Sequence, residues 1–126
     1  MLFRSETEEL ERLPGEALVG RRYRPLLPYF AEHAEEVDGK RPAFFVVSAD
    51  YVETSSGTGL VHQAPAFGED DFQTGKENGL PLINPLSLTG HFDERVPDFQ
   101  GQFAKDADKG ITKMLKDQGS VVDQDT

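Results

Sequence analysis

Proline and glycine decide how long any element of this chain can run. Eight prolines and twelve glycines are spread through 126 residues. Each proline removes a backbone donor and fixes φ. Pro25 and Pro28 punctuate Tyr23 to Phe30, Pro65 stops Leu60-Val61-His62-Gln63-Ala64, and Pro81 and Pro85 interrupt Leu80 to Leu88. The first segment therefore reads as extended or turning rather than helical, and the last as loop or edge strand. Gly39-Lys40-Arg41-Pro42 and Ser55-Ser56-Gly57 read as turns, and Thr89-Gly90 as the turn of a hairpin into His91-Phe92. Ala31 to Asp38 is acidic and expected to be exposed.

Between these breaks the patterning switches from strand to helix. Ala43 to Val52 is the clearest strand signal, rich in aromatic and β-branched residues. Leu60 to Ala64 reads as a second short strand, with Leu60, His62 and Ala64 on one face and Val61 and Gln63 on the other. Val121-Val122 adds a last short one. Ser5 and Glu8 fit a capping box opening a short acidic helix toward Leu13, ending before Pro14-Gly15. A second helix is expected from Glu69 to Asn78, behind Gly68 and ended by Gly79. A third runs from about Asp106 to Gln118, with Asp106 as N-cap, Gly119 as C′ residue, and Ala107, Ile111, Met114 and Leu115 on one apolar face. The expected fold is one domain over residues 1–126, α+β and β-rich, a small β-barrel with two or three flanking helices.

Composition narrows the partners. Hydrophobic residues at 37% and aromatics at 10% suit a packed domain rather than a disordered one. No apolar run approaches the ~18–20 residues of a membrane span, so no membrane partner is expected, and Met1 to Glu6 lacks a signal-peptide core. With no cysteine there is no disulfide framework or thiolate metal site, and a reducing cytoplasm is the default compartment. The formal net charge of −10 argues against a broad phosphate-binding face. Arg21, Arg22 and Arg24 nonetheless cluster, and read as a solvated basic patch ahead of a local nucleic-acid contact.

The residues with chemistry to offer sit in Gly57-Thr58-Gly59-Leu60-Val61-His62-Gln63-Ala64-Pro65-Ala66-Phe67-Gly68-Glu69-Asp70-Asp71. It reads as a histidine-bearing strand, a turn, and a helix start crowded with carboxylates. Plain helix capping accounts for Glu69, Asp70 and Asp71, and a satisfied structural histidine accounts for His62. The helix packing on the strand would still bring one acid near His62, leaving a small polar pocket around His62 and Asp71. Other constellations fail. Gly57-x-Gly59 alone is a weak phosphate signal. His33, His62 and His91 follow no metal-ligand spacing. No Gly-x-Ser-x-Gly elbow or cysteine nucleophile exists. Asp106 and Asp108 with Lys105 and Lys109 read as a cap and a solvated face.

The run from Gly57 to Asp71 resembles the signature of the editing domain inserted in isoleucyl-tRNA synthetases. The resemblance extends to Leu18–Phe30, like the family's segment before the strand, and to Asp98–Lys109, like the stretch into its last helix; it covers roughly residues 16–120. Valine and leucine enzymes share the Gly-Thr-Gly and the later Asp, while Val61-His62-Gln63-Ala64-Pro65 points to the isoleucine branch.

The resemblance implies a second sieve. A synthetic site rejects valine poorly because one missing methylene is worth only about 1–3 kcal/mol, a figure established on this enzyme family itself. The editing domain hydrolyses valine mischarged on tRNA(Ile), and by extension valyl-adenylate. By resemblance Asp71 holds the substrate's α-ammonium group, His62 lines the side-chain pocket and excludes isoleucine, and Phe67 adds an apolar wall. The activated ester needs a positioned water and a stabilised oxyanion, so no metal or other cofactor is expected. The implied partners are the acceptor end of mischarged tRNA(Ile) and the rest of the parent synthetase.

Two departures qualify this. The nucleotide-binding signatures of a synthetase are absent, so this chain is not expected to charge tRNA alone. The family's threonine-rich pocket wall is also missing, since the threonines here are scattered from Thr7 to Thr126. Met1 then reads as a truncated or engineered start and the pocket as half-built. The alternatives are an inactive structural or tRNA-docking fragment, with Asp71 as cap and His62 as core residue, or a free-standing deacylase acting in trans.

Overall fold

The computed structural model describes residues 8–34, 42–55, 57–122 and 124. Two α-helices form: α1, Glu69–Glu77, and α2, Asp108–Asp117. Single 3-10 turns occur at Gly15–Leu18, Ala31–Ala34 and Pro97–Phe99. Both helices end where the glycine spacing puts them. Gly79 and Gly119 take φ of 69° and 75°. The N–H groups of Leu80 and Ser120 reach back to the carbonyls of Gly75 and Leu115, and those of Gly79 and Gly119 to Lys76 and Lys116, the paired closing bonds of a Schellman cap at each helix.

The expected β-rich barrel is not what forms. Among the described residues there is no strand, and antiparallel pairing is confined to the isolated bridges Arg22–Phe45, Leu86–Phe92 and His91–Phe103. The Ala43–Val52 run shows why. Around Arg22–Phe45 the ladder begins properly, with Tyr23 N–H on the Phe44 carbonyl at 3.1 Å and Val46 N–H on the Arg21 carbonyl at 2.9 Å. In register, Gly20 would next pair with Val47. Gly20 instead turns to φ 86° and gives its N–H to the Val46 carbonyl. On the other side Phe44 itself sits at φ 60°, and the next N–H, of Ala43, goes to the His33 carbonyl. A phenylalanine in the left-handed region opposes a continuous strand. Strand propensity describes fit to a pleated, half-buried surface, and without a partner on that surface it builds nothing.

Leu60–Ala64 likewise forms no strand, and the expected alternation is not seen: Leu60, Val61 and His62 are all exposed. Val121-Val122 forms no strand either. The expected N-terminal helix is absent over Glu8 to Leu13: Leu10 is 86% exposed, so nothing covers its apolar face, and a helix that short is marginal alone. Its capping residue Ser5 lies outside the described residues, as do residues 35–38 of the acidic stretch, residues 39–41 of one expected turn and Ser56 of another. Asp106 is not the N-cap of α2. Overlapping turns over residues 103–108 delay the helix, and Ala107 takes that position without a side-chain cap.

The Thr89-Gly90 turn does form. Gly90 takes φ 80°, its N–H bonds to the Ser87 carbonyl, and Ser87 N–H bonds to the His91 carbonyl at 2.9 Å, a three-residue hairpin connection. Phe92 N–H then reaches the Gln102 carbonyl, joining three extended pieces. They carry the core: Val96, Phe99 and Ala107 are buried, with Tyr29, Phe30, Phe92, Ile111 and Met114 packed on them. Three of the four residues expected on the apolar face of α2 are in this cluster. Tyr29 fastens Tyr23–Phe30 to it through a 2.5 Å bond from its hydroxyl to Asp98.

Candidate functional site

A second packing centre holds α1 against the Leu60–Phe67 segment. Thr74 and Gly75 are the buried residues of α1. A Cβ on Gly75 would lie 2.9 Å from Pro65 Cγ and 3.0 Å from its Cβ, so the proline ring lies directly on the helix backbone. The N–H of Phe67 bonds to the Ala64 carbonyl, closing a turn over Pro65-Ala66. This places Gly68 as the N-cap of α1 and Glu69, Asp70 and Asp71 in its first turn.

Asp71 does not cap the helix. Its Oδ2 accepts the backbone N–H of Ala64 at 3.1 Å, and its Oδ1 accepts the Tyr51 hydroxyl at 2.9 Å. Tyr51 in turn accepts a bond from Gln63 Nε2 at 3.1 Å. The carboxylate thus joins three parts of the chain: the end of the Ala43–Val52 run, the His62-bearing segment and α1. Glu69 and Asp70 are exposed. Gln63 Oε1 is buried with no hydrogen-bond partner among the described residues, so an acceptor stands ready beside this junction.

Beside it runs a groove of ≈ 830 Å³. Its walls are mainly apolar, drawn from Phe44–Val47, Leu60–Val61 and Phe67, and His62 and Gln63 supply polar groups. Such a volume and lining are those of a small-molecule site. Phe67 is 55% exposed and His62 is exposed, so both present their side chains rather than filling a core.

His62 and Phe67 therefore share one groove. Asp71 is not among the groove-lining residues; it is tied to the wall directly at Ala64, and through Tyr51 to Gln63. Sequence reasoning missed Tyr51 and Gln63. Tyr51 stands 20 residues from Asp71 and looked like one more aromatic of a strand; no spacing rule links the two. Among the described residues no helix is long and apolar enough to cross a membrane.

No protein-family model matches the chain. Curated relatives do. Over 121 residues, 96% of the chain, it is 45% identical to the isoleucine–tRNA ligase of Bdellovibrio bacteriovorus. It is 48% identical over 115 residues (91%) to that of Chlamydia muridarum, and 46% over 119 residues (94%) to that of Corynebacterium diphtheriae. Each alignment covers 11% of the relative's length. At this identity over almost all of its residues, the chain belongs to the isoleucine–tRNA ligase family, where it corresponds to about 11% of such an enzyme.

Proposed function

We propose that this chain carries part of an editing site that hydrolyses valine mischarged on tRNA(Ile), with valyl-adenylate as a second substrate. The observation that carries the reading is the ≈ 830 Å³ groove lined by His62 and Phe67 and braced by Asp71. Its volume exceeds that of a valine side chain several-fold, which suits an amino acid together with its ribose and base. Size discrimination then falls to the local walls at His62 and Phe67. Hydrolysis needs water to add to the ester carbonyl and the acyl–oxygen bond to break, with a proton passing to the departing ribose oxygen. The resemblance, rather than the groove lining, assigns the α-ammonium group to Asp71, which stands behind the wall at Ala64: an ionised carboxylate has about four lone-pair sites, and two accept from Tyr51 and Ala64. Its remaining capacity suits a charge-assisted bond. The partners are the tRNA acceptor end and the remainder of a synthetase, and the compartment is the cytoplasm.

The test is deacylation of valyl-tRNA(Ile) by this chain, beside isoleucyl-tRNA(Ile) and an Asp71→Ala control. Valine-selective hydrolysis that vanishes in the control is the expected result. A rate equal to spontaneous loss sinks the reading for this chain. A second reading, a non-catalytic segment of the domain, draws on the two bonds that Asp71 makes within the fold. NMR titration of His62 with and without a valyl-ester mimic separates the two: an open site gives a ligand-dependent shift, and a structural histidine gives none.

A further inference from the structure

The hydrogen bonds at the Asp71 junction all run in one direction. An ionised carboxylate only accepts, so Asp71 Oδ1 takes the hydroxyl proton of Tyr51 at 2.9 Å. The phenol has no second proton to give, so its oxygen accepts from Gln63, and the amide turns its NH2 end to Tyr51 at 3.1 Å. This order of donors assigns the two ends of the amide, which shape alone does not. It leaves Gln63 Oε1 at the far end of the relay, buried and without a hydrogen-bond partner; among the described residues it is the one buried side-chain polar atom so left. Buried acceptors in folded proteins are nearly always satisfied, and Gln63 lines the ≈ 830 Å³ groove. The relay also gives this oxygen a sign. Successive hydrogen bonds polarise one another: the carboxylate draws the hydroxyl proton, the phenol oxygen draws the amide, and negative charge builds on Oε1. Asp71 does not line the groove, yet its charge is felt there through Tyr51 and Gln63. A polarised acceptor in a mainly apolar wall favours a cationic N–H donor over a neutral one.

We propose that Gln63 Oε1 is a second acceptor for the α-ammonium group of an aminoacyl ester in the groove, with Tyr51 as the positioning residue that aims it. The proposal rests on the editing reading for the identity of this ligand. Gln63 is only partly buried and follows exposed Val61 and His62, so binding draws its amide toward the groove about the bond to Tyr51 and uncovers the oxygen. Selection by size at His62 and Phe67 is then joined by a demand for an amine: an acyl group with valine's shape and no amine binds weakly.

The experiment is calorimetric titration of the full chain with two nucleoside probes. One is an adenosine whose ribose amine carries valine in amide linkage, which resists deacylation. The other carries an isovaleryl group instead and differs only in lacking the α-ammonium group. The unaltered chain should favour the valyl probe by about tenfold, the size of one hydrogen bond to a charged group. Gln63→Met keeps the length of the side chain without the oxygen. It should remove most of that preference and leave isovaleryl binding within about twofold. Tyr51→Phe should lower the preference by a smaller factor, because Gln63 keeps its oxygen and loses its aim. A merely structural Gln63 would weaken both probes alike in Gln63→Met; that result overturns the proposal, as does a preference that Gln63→Met leaves intact. If Gln63→Met keeps the preference and Asp71→Asn removes it, only this proposal falls and the editing reading stands with Asp71 as the acceptor. Binding of neither probe by the unaltered chain overturns the editing reading and the ligand assigned to Gln63 with it.

Discussion

Gly75→Ala tests how the His62 segment is held. Alanine is favoured over glycine inside a helix by about 1 kcal/mol, so an unobstructed Gly75→Ala should stabilise the chain by that amount. The new Cβ, however, arrives 2.9 Å from Pro65 Cγ and 3.0 Å from Pro65 Cβ, where carbon atoms settle at about 3.5–4.0 Å. The proline is a rigid ring in a closed turn and cannot swing away as a flexible side chain could. Overpacking of this kind costs about 1–3 kcal/mol, so the expected net effect is a loss of up to ~2 kcal/mol. A double-mutant cycle separates the two terms. In a Pro65→Gly background the obstruction is gone and Gly75→Ala should stabilise by about 1 kcal/mol, giving a coupling energy in the 0.5–3 kcal/mol range of residues in contact. Urea unfolding followed by far-ultraviolet circular dichroism reads all four corners. Gly75→Ala that stabilises the unaltered chain by the full helix-propensity gain would refute the close contact. Where it destabilises, the His62 wall shifts with Pro65, and valine deacylation should fall with it.

Asp71→Asn keeps the shape but leaves one carboxamide oxygen to serve both Tyr51 and Ala64. One donor is then unpaired, at a cost of about 1–3 kcal/mol; urea midpoints within a few tenths of the unaltered chain would show that the junction carries no stability. The Tyr29 hydroxyl is pushed up to about 12, first by burial and then by its bond to Asp98. Its contribution is full below the ordinary tyrosine value near 10 and is lost as pH rises through about 12, so Tyr29→Phe should flatten the alkaline decline in thermal stability. Asp93 is held below the usual carboxylate range by the Arg95 side chain and then by the Arg95 backbone N–H. That contribution is present above about 4 and disappears as pH falls through the lowered value. Asp93→Asn should remove this part of the acid transition, and an unchanged acid-unfolding profile would contradict it.

The two α-helices that form were legible because their signals are local, whereas the capping-box pattern before Leu13 has no apolar partner and forms no helix over Glu8–Leu13. Gly68 and Gly79 bracket α1 within a residue of the expected bounds, and Ala107, Ile111 and Met114 do enter the core together. The expected β-barrel does not form, because a strand is a property of two segments. The aromatic and β-branched residues of Ala43–Val52 pass every local test, yet their pairing ends where Gly20 and Phe44 adopt positive φ. No composition rule announces a phenylalanine at φ 60°. The groove residues His62 and Phe67 were readable from one contiguous run. The groove itself also needs Phe44–Val47, and the Asp71 junction needs Tyr51. Spacing alone makes Asp71 a helix cap, since first-turn carboxylates usually are one, and only the resemblance sets it apart; in the fold it gives its acceptors to Tyr51 and Ala64 instead.

The bond from Gln63 to Tyr51 spans 12 residues and pins both ends of the intervening excursion. With its ends fixed, the excursion is a closed perimeter whose interior length is nearly free to vary: doubling it costs only about 0.6 kcal/mol of closure entropy. Exposed Glu53, Thr54, Gly57 and Thr58 lie on that perimeter. Thr54 and residues 59–62 of that perimeter line the groove, so a reporter peptide spliced in at exposed Gly57 or Thr58 would lengthen the perimeter next to a wall that stays anchored at Gln63.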